Sequence, residues 1–237
     1  DMTIAITQSD FCQYIGYWQL MKIVDVFVVY DNIEYTKKGW INRNRILVDG
    51  KDEYISLPLK KDSDYLNVNE RFLSEQFHLK EIRKITNKIT EAYRKAPMFN
   101  EIMPMIEKIL LCHHKNLFDY IYNSLLTWKD FLNINTKIIK SSSLSIDIEK
   151  YKGQDKVIAI CKSLNADQYI NPIGGVELYS VDRFKEHNIK LNFIKSKDIV
   201  YQQFKNTFVP WLSIIDVAMF NDKETIYKML NNFEYHF

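Results

Sequence analysis

The sequence predicts an α/β fold with a Rossmann-like, mainly parallel sheet that carries a β-hairpin and a helical insertion. Two apolar, β-rich runs, residues 3–7 and 26–30, flank a short helical stretch near the start of the chain. A strand–helix–strand unit of this length implies a parallel pair joined by a right-handed crossover. Helical periodicity then dominates residues 74–132, and alternating strand and helix signals return after it.

The chain shows no linker, internal repeat or low-complexity tract. We therefore expect residues 1–237 to form a single α/β domain with a helical insertion around residues 74–133. Ahead of the insertion, two short apolar runs, residues 45–48 and 54–57, are separated by Asp49-Gly50, which signals a hairpin turn.

Three helices are predicted within the insertion, because apolar residues recur there at spacings of three and four. The buried stripes are expected to be Leu79, Ile82, Ile85, Ile89 and Tyr93; Ile102, Met105, Ile106 and Ile109; and Leu117, Ile121, Leu125 and Trp128. Pro97 is expected to start the second helix, and Pro104 to kink it.

The last third of the chain is expected to alternate strands and helices. The predicted strands are residues 136–140, 168–171 and 189–194, and the predicted helices are residues 156–164, 181–187, 211–220 and 223–232. Pro210 is placed as a first-turn residue of the helix over 211–220.

Composition excludes several classes of function. The net charge is only +2 and the charges are dispersed, whereas a nucleic-acid binder usually concentrates basic residues on one face. No apolar run approaches the roughly 18 residues that span a bilayer, and the start does not resemble a signal peptide. The three cysteines are odd in number and far apart, which favours reduced thiols and a cytoplasmic location.

Aromatic residues make up 14% of the chain. They fit either a tyrosine-rich core whose hydroxyls reach water or a pocket lined by flat rings for a sugar or nucleobase, and composition alone favours the core.

The loop after the first strand is a candidate binding site. Gln8 ends that strand, and Tyr14-Ile15-Gly16-Tyr17 opens the helix, whose N-terminus favours phosphate. A family with nucleotidyl transfer activity has His-x-Gly-His at a comparable point, where this chain has tyrosines in place of both histidines. Asp31 ends the second strand, where a carboxylate contacts a sugar hydroxyl or acts as a general base; a turn cap is an equal alternative.

The densest polar cluster is residues 37–45. Its candidate binding residues are Lys38, Trp40, Asn42, Arg43, Asn44 and Arg45. Arginine matches phosphate oxygens bidentately and lysine adds charge, so a diphosphate would fit this cluster. A solvated hairpin edge is the alternative.

The loop after residue 171 holds the paired Gly174 and Gly175, followed by Tyr179, at the carboxyl end of a strand. A metal site is not expected. Residues 112–114 read Cys-His-His, but neighbouring residues on a helix point about 100° apart and no second Cys/His cluster exists.

Several of these segments together resemble the WbqC-like family. They are Gln8, Tyr14–Tyr17, residues 25–28, Asp31, the run GWINRN at 39–44, Gly174-Gly175 with Leu178-Tyr179, residues 208–210, and LSIID at 212–216. The resemblance spans almost the whole chain. The chain departs from the family pattern at Ser9, where a proline is usual, and at Asn32 and Glu34, where Asp and Gln are commoner.

Members of that family occur among genes for O-antigen and other surface polysaccharides. The resemblance therefore implies transfer of an amino-acid or other acyl group, for example glycyl, to the amine of a nucleotide-linked amino-deoxy sugar. Asp31 would accept the proton and Tyr17 would assist, while Gln8, the Arg43 region, Gly16 and Tyr179 would bind substrate. The acyl donor, ATP-activated or carrier-bound, stays open, as does a homo-oligomer. The alternative function is a non-catalytic nucleotide-sugar-binding or scaffold protein of a polysaccharide assembly complex.

Overall fold

A computed structural model describes residues 1–236 and shows a six-stranded sheet with the strand order β5-β2-β1-β6-β7-β8. The strands are β1 (Thr3–Gln8), β2 (Val26–Tyr30), β5 (Lys137–Lys140), β6 (Gln168–Pro172), β7 (Lys190–Ser196) and β8 (Phe233–His236). All pair in parallel except β8, which runs antiparallel to β7. A two-stranded hairpin, β3 (Arg43–Val48) and β4 (Lys51–Ser56), stands apart from the sheet. The predicted α/β class is thus confirmed.

Eight α-helices occur in the described residues. They are α1 (Ile15–Lys22), α2 (Ile82–Tyr93), α3 (Phe99–Leu110), α4 (Leu117–Phe131), α5 (Gly153–Ser163), α6 (Val181–Glu186), α7 (Ile214–Phe220) and α8 (Lys223–Leu230). Short 3₁₀ turns and one π-helical turn, Phe77–Glu81, connect several of them. None of the helices among residues 1–236 is long and apolar enough to cross a bilayer.

The sheet separates two hydrophobic cores. Alternate side chains point to opposite faces, so Ala5 and Phe27 belong to one core while Ile4 and Val28 belong to the other. The first core is larger and also contains the buried stripes of α1 to α4 and the inner face of the hairpin. The helical insertion thus packs into the same core as one face of the sheet.

The hairpin turn follows the expected chemistry. Asp49 and Gly50 both have positive φ, 49° and 79°, which is the backbone of a two-residue type I′ turn. Gly accepts this conformation without the steric cost that a Cβ brings.

Leu79 is not on a buried stripe as predicted: its side chain is 77% exposed. The chain is π-helical over Phe77–Glu81, which changes the phase of the stripe before α2 begins, and Phe77 is buried instead.

The helix predicted over 211–220 begins only at Ile214. Trp211 has a φ of 63° and forms a bend, so Pro210 lies outside the helix rather than in its first turn. The Ser213 hydroxyl caps α7 by accepting the N–H of Ile215. Strand β8 has no counterpart in the sequence prediction, and the bounds of the other elements differ by up to three residues.

Candidate functional site

A cleft opens where the chain order of the sheet reverses. From β1 the chain crosses to β2 on one side, whereas β6 and β7 lie on the other side of β1. Ligands of open α/β sheets bind at such a switch point, outside the carboxyl ends of the strands. A cavity of about 180 Å³ lies there, lined by Thr7 of β1, Pro172 at the end of β6, Ser196 at the end of β7, and residues of α1 and its preceding loop.

Asp10 is a buried acid in the wall of this cavity and is only 7% exposed. Its carboxylate accepts hydrogen bonds from the side-chain amides of Gln8, at 2.9 Å, and of Gln13. The orientation of the Gln13 amide is fixed, because its oxygen accepts the N–H of Tyr14. Desolvation raises the pKa of Asp10 to about 7, although both amide hydrogen bonds act to lower it.

Tyr17 lies beside Asp10 in the same wall and is buried. Its hydroxyl accepts from the Thr7 hydroxyl and donates to the Gln8 carbonyl, each at 3.2 Å. Burial, and then the nearby charge of Asp10, raise the pKa of Tyr17 above its usual value. Tyr17 is therefore a neutral hydroxyl that holds the end of β1.

A second cavity of about 290 Å³ adjoins the first, since Tyr14 and Ser196 line both. Its wall is rich in aromatic rings, contributed by Tyr14, Tyr201, Phe208 and Trp211. The rings of Tyr14 and Trp211 meet edge to face with centroids 5.7 Å apart. We call the two cavities together the cleft.

Gly16 permits the position of Tyr14. A Cβ at residue 16 would lie 2.5 Å from the Tyr14 hydroxyl oxygen and 2.6 Å from two ring carbons. The absence of a side chain thus lets the ring fold against the first turn of α1. Both residues line the smaller cavity, and their role in binding substrate stays a prediction.

The residues of the predicted diphosphate cluster bind mainly to the protein itself. Arg43 donates to the carbonyls of Gly39 and Lys38, at 3.0 and 2.7 Å, and its guanidinium carbon lies 4.4 Å from the centroid of Tyr54. Arg45 binds Asp52 and the carbonyl of Trp211.

Trp40 and Asn44 belong to the same framework. The Trp40 ring lies 5.6 Å from the guanidinium carbon of Arg45 and 6.0 Å from the Tyr54 ring centroid. Asn44, in β3, is 1% exposed, and its side-chain amide donates a hydrogen bond to the carbonyl of Phe11. Neither residue lines the cleft, and Asn42 lines a different cavity.

The Asp31 side chain caps a 3₁₀ turn. Its carboxylate accepts from the hydroxyl of Ser141, at 3.0 Å, from the N–H of Ser142, at 2.8 Å, and from the Ser142 hydroxyl. The side chain is 4% exposed and lies outside the cleft. The structure thus places it as a cap for the 3₁₀ turn that follows β5, which is the alternative that the sequence left open.

The paired glycines lie in a 3₁₀ turn, Ile173–Leu178, after β6. Tyr179 packs against the core of the opposite sheet face, with its ring 5.9 Å from that of Phe184. A Cβ on Gly175 would lie 2.2 Å from the Asn171 amide nitrogen, so this glycine serves close packing. The structure therefore does not bring Gly174, Gly175 and Tyr179 into the cleft.

Asp10 is the functional candidate that the sequence reasoning missed. It comes two residues after the end of β1, and an acid at the carboxyl end of a strand was the signal that singled out Asp31. Cys12 follows in the same loop, but burial raises the pKa of its thiol to about 12, which suits a structural cysteine. Among residues 1–236, no group of three or more His, Cys, Asp or Glu side chains is placed to hold a metal ion.

Comparison with known proteins gives a family. The model of the WbqC-like protein family matches residues 8–228. A protein of Mycobacterium tuberculosis, named uncharacterized protein Rv1507c, is 27% identical over 222 residues, which cover 92% of this chain and 93% of that protein. No solved structure matches the chain. The chain belongs to the WbqC-like family, as its motifs indicated.

Proposed function

We propose that this WbqC-like protein is a transferase that attaches an amino-acid or other acyl group, such as glycyl, to the amine of a nucleotide-linked amino-deoxy sugar in O-antigen or surface-polysaccharide biosynthesis. The observation that carries the proposal is Asp10, a buried carboxylate with a pKa of about 7 in a cavity at the switch point of the sheet. A general base is most effective when its pKa lies near the working pH.

The reaction needs one proton acceptor. The amine nitrogen attacks the acyl carbonyl, the new C–N bond forms, and the bond from the acyl carbon to the donor's leaving group breaks. The nitrogen loses a proton, which the Asp10 carboxylate accepts. No covalent enzyme intermediate is required, because positioning the two reactants supplies much of the rate.

We assign the general base to Asp10 rather than to Asp31. Asp31 has its oxygens engaged by Ser141 and Ser142, whereas Asp10 accepts from two amides and still faces a cavity. Tyr17 and Gln13 hold the loop that presents Asp10. We assign Tyr17 to positioning, because its hydroxyl donates to the backbone of Gln8.

The aromatic cavity suits the flat part of the substrate. Stacking on Tyr14 or Trp211 would hold a nucleobase or a sugar face, with the amine directed toward Asp10. The donor is ATP-activated or carrier-bound. The three cysteines among the described residues are unpaired, which fits a reaction in the cytoplasm.

A scaffold function is the second candidate, and the feature that favours it is a pair of exposed leucines on the helical insertion. Leu79 and Leu111 are 77% and 66% exposed and border the same surface depression. On a scaffold, these two leucines would be the apolar contacts that a partner covers. This candidate requires no proton acceptor in the cleft.

The first test is a thermal-shift panel of UDP- and dTDP-linked amino sugars, each measured beside the sugar that has a hydroxyl in place of the amine. The second is mass spectrometry of the reaction products formed with ATP and glycine or with carrier-bound acyl donors. We expect stabilisation by one amino sugar and not by its counterpart, and an N-acylated product with one donor. Binding without product for any donor would favour the scaffold function. Equal shifts for amino and hydroxyl sugars would count against recognition of the amine.

A further inference from the structure

A third cavity, of about 410 Å³, lies beside the hairpin and shares no lining residue with the cleft. Its wall holds four basic side chains, Lys37, Lys60, Lys61 and Arg71, and one acid, Asp62. Lys37 is exposed and forms a solvent-screened pair with Asp64 at 3.2 Å. The cavity therefore carries an excess of positive charge.

Arg71 is the decisive residue of this wall. Its side chain is only 4% exposed, and its Nε and Nη1 atoms are buried without a hydrogen-bond partner. The remaining nitrogen makes one long bond, 3.4 Å, to the carbonyl of Lys60. The guanidinium carbon lies 4.8 Å from the centroid of the Tyr35 ring, which offers a weaker cation–π contact.

The fold fixes Arg71 in this position. Its N–H donates to the carbonyl of Val68 at 3.2 Å, and its carbonyl accepts from the N–H of Leu117 at 2.9 Å. Among residues 1–236, no carboxylate forms an ion pair with it. Because a buried cation without a counter-charge is costly, the arrangement calls for an anion.

We infer that this cavity binds a phosphate group. A guanidinium fork matches phosphate oxygens, and the lysines at the rim neutralise the second negative charge. The uncharged residues of the cavity wall are held by hydrogen bonds to one another. The Tyr35 hydroxyl donates to the Asn42 side-chain oxygen at 2.8 Å, and the Asn42 amide donates to the Leu57 carbonyl at 2.9 Å. The phosphate comes either from a nucleoside diphosphate or from free phosphate or pyrophosphate. The inference stands apart from the acyl transfer proposed for the cleft.

Isothermal calorimetry with inorganic phosphate, pyrophosphate, UDP and acetate tests this site in the 237-residue protein. We expect pyrophosphate to bind with an affinity that falls as salt is raised, and acetate to bind far more weakly. Arg71→Met should weaken pyrophosphate binding by roughly tenfold or more, and Lys60→Ala by about threefold. Lys152→Ala, at an exposed lysine before α5, is the matched control and should leave pyrophosphate affinity unchanged.

The UDP arm separates the two sources. If Arg71→Met loses affinity for both UDP and pyrophosphate, the cavity binds the diphosphate of a nucleotide. Loss of pyrophosphate affinity alone assigns it to free phosphate. If Arg71→Met does not fold, the double variant Lys60→Ala/Lys61→Ala decides by the same readout. The inference is overturned if pyrophosphate does not bind, or binds the folded variants as tightly as the unaltered protein.

Discussion

Two buried carboxylates of this protein occupy contrasting environments. Asp216, in α7, is 0% exposed and accepts three hydrogen bonds, from the hydroxyls of Tyr93 and Tyr201, at 2.7 and 2.6 Å, and from the Gln203 amide at 2.8 Å. Asp10 accepts two amide hydrogen bonds and lines a cavity. Burial raises the pKa of both groups.

This contrast distinguishes a buried acid that stabilises the fold from one that is available for chemistry. Asp216 ties α7 to α2 and to the loop at 201–203, so its oxygens are committed to the fold. Asp10 has space beside it for a reactant. An acid that is costly to bury and is not fully engaged by the protein is the better candidate for proton transfer.

The largest expected effect separates Asp10 from Asp31. Asp10→Asn should lower the acyl-transfer rate by about 100-fold or more, because a positioned general base contributes at least that much. Asp31→Asn, compared at equal folded fraction, should keep most of the activity. The measurement is the initial rate of N-acylated sugar formation. The opposite ranking of the two variants would return the base to Asp31.

The second expected effect is a gain in stability that depends on pH. The folded protein has a pKa of about 7 at Asp10 and the unfolded chain about 3.8, so the folded state binds the extra proton between these values. Stability contributed by protonated Asp10 is therefore full below about pH 4 and is lost as the pH rises to 7. Because Asn does not ionise, the stability of Asp10→Asn relative to the unaltered protein should rise by up to about 4 kcal/mol between pH 4 and pH 8. Urea unfolding at both pH values measures this, and a difference independent of pH would contradict it.

The third effect has the opposite sign. Asp216→Ala should lower the free energy of unfolding by about 3 kcal/mol, because it leaves two buried hydroxyls and an amide without their acceptor. Thermal and urea unfolding measure the loss. A change below about 1 kcal/mol would mean that the cluster around Asp216 is not the framework described here.

The smallest expected effect concerns the aromatic cavity. Trp211→Ala should weaken nucleotide-sugar binding by about 1–3 kcal/mol, the usual value of a stacking contact. Trp40→Ala is the matched control, since Trp40 packs against the hairpin and lines neither part of the cleft. Equal losses in calorimetry would place the substrate nearer the hairpin cluster.

The fold was largely predictable from local signals. The strand–helix–strand start, the Asp49-Gly50 turn and the stripes of α2 to α4 each depend on residues close in the chain. The exposure of Leu79 and the strand β8 were not predictable in this way. The π-helical turn shifts the phase of Leu79, and β8 exists only because β7 offers an edge to pair with.

The site was predicted only in part, for a different physical reason. Position after a strand drew attention to Gln8, Tyr14, Gly16 and Tyr17, and the structure places these residues in or beside the cleft. Residue type could not show that the Arg43 guanidinium donates to the backbone carbonyls of Gly39 and Lys38. Nor could it show that the Asp10 side chain is buried. Hydrogen-bond satisfaction and burial are properties of the whole fold.

A carbon-13 carboxyl NMR titration, with the Asp10 signal assigned by its loss in Asp10→Asn, measures the pKa on which the role of Asp10 as general base depends. We expect a titration midpoint near 7 for that carboxyl. A midpoint near its ordinary value of about 4 would show that Asp10 is well solvated, and would remove it as the base of the cleft.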